Sequence, residues 1–206
     1  MKTDRTVVIT GAAGGMGAVF VRRFLDNGDL VIATDAAADS LAALADSMNS
    51  ARLRIRAADI TDEADTKALA ELARQATGRV DVLVNVAGYF PVQPFLEMSA
   101  ADWRKIIDIN LTGTALMCQA MLPLLTGRGW GRIINIGSAS IYAGVPGQAH
   151  YVAAKAGLIG LSAAWRGSSA AKACASTSWR PASPSPPPPR RRFRSRFRTP
   201  PSRVGA

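Results

Sequence analysis

A chain of 206 residues, 48% of them apolar, is long enough for one domain with a sizeable core. Its net charge of +10 is uneven: residues 1–162 hold 15 basic and 15 acidic side chains, whereas residues 163–206 hold 10 basic and none acidic, so the whole excess belongs to the tail. No apolar run is long enough for a signal peptide or a membrane span, which makes the cytoplasm the expected location, and Cys118 and Cys174 stand at neither metal-ligand nor disulfide-framework spacing, so no metal is expected.

In chain order the pattern predicts strands at 6–10, 30–34, 53–57, 80–85 and 132–137. Helices are expected at 15–27, 38–48, 62–77 and 101–125, with a last one starting near Ala149. Short apolar strands without strict alternation imply burial on both faces, and a helix between successive strands implies parallel crossovers. The fold class is therefore α/β, a doubly wound Rossmann-type parallel sheet with helices on both faces. In such sheets ligands sit beyond the carboxyl ends of the strands, where Asp35, Asp59, Asn85 and Ser138 all fall.

The first strand runs into Thr10-Gly11-Ala12-Ala13-Gly14-Gly15-Met16-Gly17. Gly11 suits a tight turn, Gly15 a close backbone approach to a pyrophosphate, and Gly17 close packing of helix on sheet, while free amides at the helix start would face the phosphates. Thr10 and Met16 belong to the same turn and are counted with it as cofactor contacts. Asp35 closes the second strand about twenty residues after the glycines. A carboxylate there accepts hydrogen bonds from both ribose hydroxyls and repels a 2′-phosphate, which favours NAD over NADP.

Tyr151 and Lys155, in Tyr-Val-Ala-Ala-Lys, stand at positions i and i+4 of the last helix, on one face and about 6 Å apart. An ammonium beside a phenol favours its ionised form, making the tyrosine usable as a general acid or base. Ser138 precedes them by 13 residues. The only histidine, His150, adjoins Tyr151 but points elsewhere on a helix, as a substrate-pocket or packing residue.

Together the glycine turn, the serine and the Tyr-x-x-x-Lys pair resemble the short-chain dehydrogenase/reductase family over residues 5–162. The resemblance implies a hydride exchange between a nicotinamide cofactor and a secondary alcohol or ketone. It implies that Tyr151 moves the proton, that Ser138 orients the substrate oxygen, that Lys155 also binds the nicotinamide ribose, and that Asn110 holds a proton-relaying water. It further places Asp59 and Ile60 at the adenine. Asn85, Ala87 and Gly88 fall beneath the cofactor, with Val86 where the commoner form of that segment has a second asparagine. A homodimer or tetramer through the helices at 101–125 and 149 onward is the family's usual assembly.

Residues 1–162 thus form the expected cofactor-binding domain with the catalytic residues. Residues 163–206 depart from the family: the expected sixth strand with its Pro-Gly turn, last helix and seventh strand give way to a Pro- and Arg-rich, disorder-prone stretch carrying eight of the twelve prolines. Rebuilding each codon from the last base of one residue's codon and the first two of the next lets residues 163–169 read Gly-Leu-Ala-Arg-Glu-Leu. Residues 175–182 likewise permit Val-Asn-Val-Val-Ala-Pro-Gly, which resembles the missing strand and turn. The tail therefore reads as frameshifted from near codon 162. Two other readings accompany the oxidoreductase: a truncated, inactive NAD-binding remnant, and nucleic-acid binding through the Arg-rich tail with Phe193 and Phe197 stacking on bases. No specific nucleic acid and no membrane are expected as partners.

Overall fold

The computed structural model describes residues 4–125 and 130–166, and the backbone of 175–179. The remainder of the basic tail, with Cys174, Phe193 and Phe197, lies outside the described residues. Strands β1 (Thr6–Thr10), β2 (Leu30–Asp35), β3 (Leu53–Ala57), β4 (Val82–Asn85), β5 (Arg132–Ile136) and β6 (Ala175–Trp179) form one sheet in the order β3-β2-β1-β4-β5-β6. Every pairing is parallel. Helices α1 (Gly15–Asp26), α2 (Ala38–Met48), α3 (Glu63–Thr77), α4 (Ala100–Ile107), α5 (Gly113–Leu125), α6 (Ser140–Ala143) and α7 (Ala149–Arg166) make the crossovers.

The side chains of a strand alternate between faces, so a parallel sheet covered on both sides needs apolar residues at every position. Ile32, Val8, Leu83 and Ile133 align across β2, β1, β4 and β5, and they join Leu69, Met117 and Met121 of α3 and α5 in one core cluster. Their neighbours Val7, Ile9, Val31, Val82 and Val84 point the other way, onto Val21 of α1 and Leu41 and Leu44 of α2. Each such buried side chain contributes about 1.5–3 kcal/mol.

The helices begin and end on local signals. Asp62 caps α3 by accepting from the Ala64 and Asp65 amides, and Gly78 ends it at φ 71°. Ser99 and Asp102 form a reciprocal capping box on α4. At the amino edge of the sheet, buried Asp29 takes a forked pair from Arg5 at 3.0 and 2.8 Å, and Asp81 accepts from the Thr6 amide at 2.8 Å.

Four features differ from the sequence expectation. The strand β3 is not buried on both faces: it is the sheet edge, and Arg54, Ile55 and Arg56 are exposed, as its alternating Leu-Arg-Ile-Arg pattern suits. The helix expected over 101–125 is interrupted between α4 and α5 by a π turn, Asp108–Thr112. The short α6 carried no periodic signal. Finally, α7 runs through residue 162 to Arg166, and β6 lies beside β5 where the sequence reading has no strand. A parallel ladder is made by backbone N–H and C=O groups, which any sequence without proline supplies.

The closest packing is between α1 and the turn before it. A Cβ on Gly17 would strike the Gly11 carbonyl and lie 2.7 Å from Ala12 Cα. Gly17→Ala is therefore expected to destabilise the domain by about 2–3 kcal/mol, read from the urea midpoint; an unchanged midpoint would contradict this packing.

Candidate active site

The carboxyl ends of β1, β2, β4 and β5 open onto a cleft of about 550 Å³. One end is glycine. Gly11 has φ +61°, and a Cβ on it would come within 2.6 Å of the Ala87 backbone, so the first turn is pressed against the segment after β4. Gly15, at the start of α1, has nothing within 4 Å of its Cβ position and lines the cleft beside Gly14, Met16 and Gly17. No side chain caps α1. Its first-turn amides lack intrahelical acceptors, and the helix dipole adds positive potential, which suits a pyrophosphate.

Asp35 lies on the cleft wall with its carboxylate held by two backbone amides, Ala13 at 3.0 Å and Ala37 at 3.1 Å. The neighbour Ala36 brings no positive charge. Asp59 and buried Ile60 form the next part of the wall, and Asp59 is fixed by the Thr61 amide and hydroxyl at 2.9 and 2.8 Å. The floor between the two ends is Val86, Ala87 and Gly88.

Two residues expected at the cofactor stand behind that floor. Thr10 is buried, and its hydroxyl accepts from the Val86 and Ala87 amides, both at 3.2 Å. Asn85 is buried and donates to Asn135 Oδ1 at 2.9 Å. Neither is among the residues lining the cleft. Both shape the wall rather than present a side chain to it.

At the far end Tyr151 and Lys155 line the same cleft. Lys155 is 4% exposed, its Nζ donating to the Ile136 carbonyl at 3.0 Å and lying 5.6 Å from the Tyr151 ring centre. Burial lowers its pKa from the ordinary 10.5 to about 8. Asn110 sits in the π turn, fully buried, its Nδ2 donating to the carbonyls of Tyr89 and Ile106 at 2.8 and 3.0 Å. Its Oδ1 has no hydrogen-bond partner. Gly88 leaves the room these groups use: a Cβ there would lie 2.9 Å from Asn110 Oδ1 and 3.6 Å from Lys155 Nζ. Ser138, two residues after β5, has its hydroxyl 2.8 Å from that of Ser140 and is not among the lining residues.

Phe90, Ile109 and Ile136 also line the cleft, and sequence reasoning missed the two isoleucines. Phe90 stacks obliquely on Tyr151 at 5.7 Å. His150 is fully buried, its Nδ1 accepting from the Tyr151 amide at 2.9 Å, so it packs rather than lines the cleft. Among the described residues no cluster of metal ligands occurs, and no helix is long and apolar enough to cross a membrane.

Comparison with known proteins places this geometry. A family model described as short chain dehydrogenase matches residues 5–181. The chain is 35% identical to D-threitol dehydrogenase of Mycolicibacterium smegmatis, over 77% of its own length and 62% of that protein's. It is 40% identical to cis-4-hydroxycyclohexanecarboxylate dehydrogenase of Sinomonas cyclohexanicum, over 77% and 64% of the two chains. It is 33% identical to a 3-oxoacyl-(acyl-carrier-protein) reductase of Thermotoga maritima, over 78% and 66%. A crystal structure of a short-chain dehydrogenase/reductase, glucose/ribitol dehydrogenase, from Brucella melitensis matches with a TM-score of 0.76 at 35% identity, covering 81% of this chain and 72% of that one. The chain thus spans 62% to 66% of the length of these three curated relatives.

The buried ammonium has a measurable consequence. Because the folded pKa of Lys155 lies below the unfolded one, the unfolded chain holds the extra proton between about pH 8 and 10.5. The stability cost of Lys155 is therefore full below pH 8 and fades as pH rises through that window. Lys155→Met should gain in urea midpoint over the parent at pH 7.5, with the gain shrinking by pH 9.5. A gain that is the same at both pH values would contradict the lowered pKa.

Proposed function

Because the chain belongs to the short-chain dehydrogenase family, we propose that its cleft holds a nicotinamide dinucleotide and serves the interconversion of a secondary alcohol and a ketone. The observation that carries this reading is the convergence in one cleft of Gly15 at an uncapped helix start, Asp35, and the Tyr151–Lys155 pair. Bound cofactor supplies or takes the hydride at the substrate carbon. The chain's own residues do the rest.

Tyr151 gives its hydroxyl proton to the carbonyl oxygen as that carbon becomes an alcohol carbon, and accepts it back in oxidation. Ser138 turns its hydroxyl from Ser140 to the same oxygen and orients it. Lys155 spends one N–H on Ile136 and keeps donors for the nicotinamide ribose, while its charge steadies the phenolate form. The unpartnered Oδ1 of Asn110 accepts from a water that passes protons between Lys155 and bulk.

NAD is preferred over NADP. The Asp35 carboxylate is locked by two amides facing a neighbour without positive charge, a setting that accepts ribose hydroxyls and repels a 2′-phosphate. The protein is further proposed to be cytoplasmic and to associate as a dimer or tetramer through α4, α5 and α7. A second reading, a chain that binds dinucleotide without turnover, is favoured by Ser138, whose hydroxyl lies against that of Ser140 and which is not among the residues lining the cleft.

NADH is expected to quench tryptophan fluorescence with a Kd at least about tenfold below that of NADPH, the size of one lost charge clash. Tighter NADPH binding would sink the preference. Tyr151→Phe should lower kcat about 100-fold or more with NADH affinity nearly unchanged. Full turnover in that variant would remove Tyr151 from its role, and binding without any turnover in the parent would favour the second reading.

A further inference from the structure

His150, Ala154, Lys155, Leu158 and Ser162 make the buried stripe of α7, and helical spacing carries that stripe on to positions 165 and 166 at the end of the helix. Ser162 is fully engaged: its hydroxyl accepts from buried Asn135 at 3.2 Å. In the sequence that follows, Ala-Ala-Trp-Arg-Gly-Ser-Ser, Trp165 packs against the core, and Ala163 and Ala164 are exposed. Read from the last base of each codon, the same stretch permits leucine, alanine and leucine at positions 165, 166 and 169. The stripe is then complete.

The strand β6 repeats the pattern. It pairs in parallel with β5, Ser176 beside Ile133, Thr177 beside Ile134 and Trp179 beside Ile136. Ala-Ser-Thr-Ser-Trp is mostly polar, whereas its companions read Thr-Val-Val-Ile-Thr, Val-Leu-Val-Asn and Arg-Ile-Ile-Asn-Ile. An interior strand of a parallel sheet is apolar on both faces, whereas β6 is the last strand in the order and pairs along β5 alone. The shifted reading permits Val-Asn-Val-Val-Ala at positions 176–180, an apolar β-rich strand, followed by a Pro-Gly turn at its carboxyl end.

The third bases this reading needs can all be G or C, except that of Ser176, which must be A for Ser-Thr to read asparagine. Such third bases fit the rest of the tail. Pro, Arg, Ala and Gly, each of which has codons with only G and C in the first two places, make up 27 of its 44 residues.

We propose that residues 163–206 are the out-of-frame translation of a coding sequence that lacks one base near codon 162, and that the restored frame completes α7 and supplies an apolar β6. The inference rests on packing and the genetic code and not on the cofactor reading, so each can fail alone. The test is a nucleotide read of codons 155–206 and the bases beyond, from the source DNA. The expected result is TCA at codon 176 and a shifted frame that stays open through codon 206, spelling the leucine-rich helix end and the Val-Asn-Val-Val-Ala-Pro-Gly run. A stop in that frame at or before codon 206, or third bases that spell unrelated residues at those places, overturns the proposal. Expression supplies a second arm, comparing the chain as written with one carrying a single inserted base at codon 162. The proposal expects the restored chain to unfold cooperatively at the higher temperature; the opposite order overturns it.

Discussion

An ammonium buried to 4% exposure, donating to the Ile136 carbonyl, sets the geometry of the whole cleft. Burying a charge is costly unless donors and negative potential surround it. Lys155 offsets that cost only in part, with the carbonyl at the end of β5 and the face of Tyr151 at 5.6 Å, a contact worth on the order of 1 kcal/mol. This fixes the rotation of α7 about its axis. Tyr151, one turn earlier, is then aimed into the same cleft, and Gly88 must lack a side chain because Lys155 and Asn110 fill the space beside it. The π turn belongs to the same arrangement: a helix widened at Asp108–Thr112 carries Asn110 inward with its amide satisfied by two backbone carbonyls and its Oδ1 left over.

Much of this was legible in the sequence because it depends on strand ends and on fixed spacings. The turn after β1, Asp35 at the end of β2, and the i, i+4 relation of Tyr151 and Lys155 are local facts, and the sheet only gathers them. What was not legible depends on tertiary neighbours. Thr10 and Asn85 carry the right residue types at the right places, yet they point behind the floor, because the Val86 and Ala87 amides and the Asn135 side chain claim their polar groups first. Edge position exposes β3, and only the strand order reveals it. The π turn inserts one residue into a helical period and leaves no mark in a hydrophobic pattern.

Behind the cleft runs a buried polar row. Asn85 donates to Asn135, and Asn135 to Ser162, which joins β4, β5 and α7 by side chains at the depth where the rest of the core is apolar. Such a row rewards one register of α7 on the sheet, since any slip leaves buried amides unpaired. The mouth of the cleft is different in kind. Phe90, which lines it, is 63% exposed with its ring centre 5.7 Å from that of Tyr151. The polar row holds α7 in place.

The most direct test of the account is a crystal structure of the protein with NADH. The account predicts the pyrophosphate over Gly15 at the start of α1, the adenosine ribose on Asp35, and the nicotinamide ribose within hydrogen-bond reach of Lys155 Nζ. A dinucleotide bound in the reverse sense, with its adenine beside Tyr151, or bound outside this cleft, would contradict it.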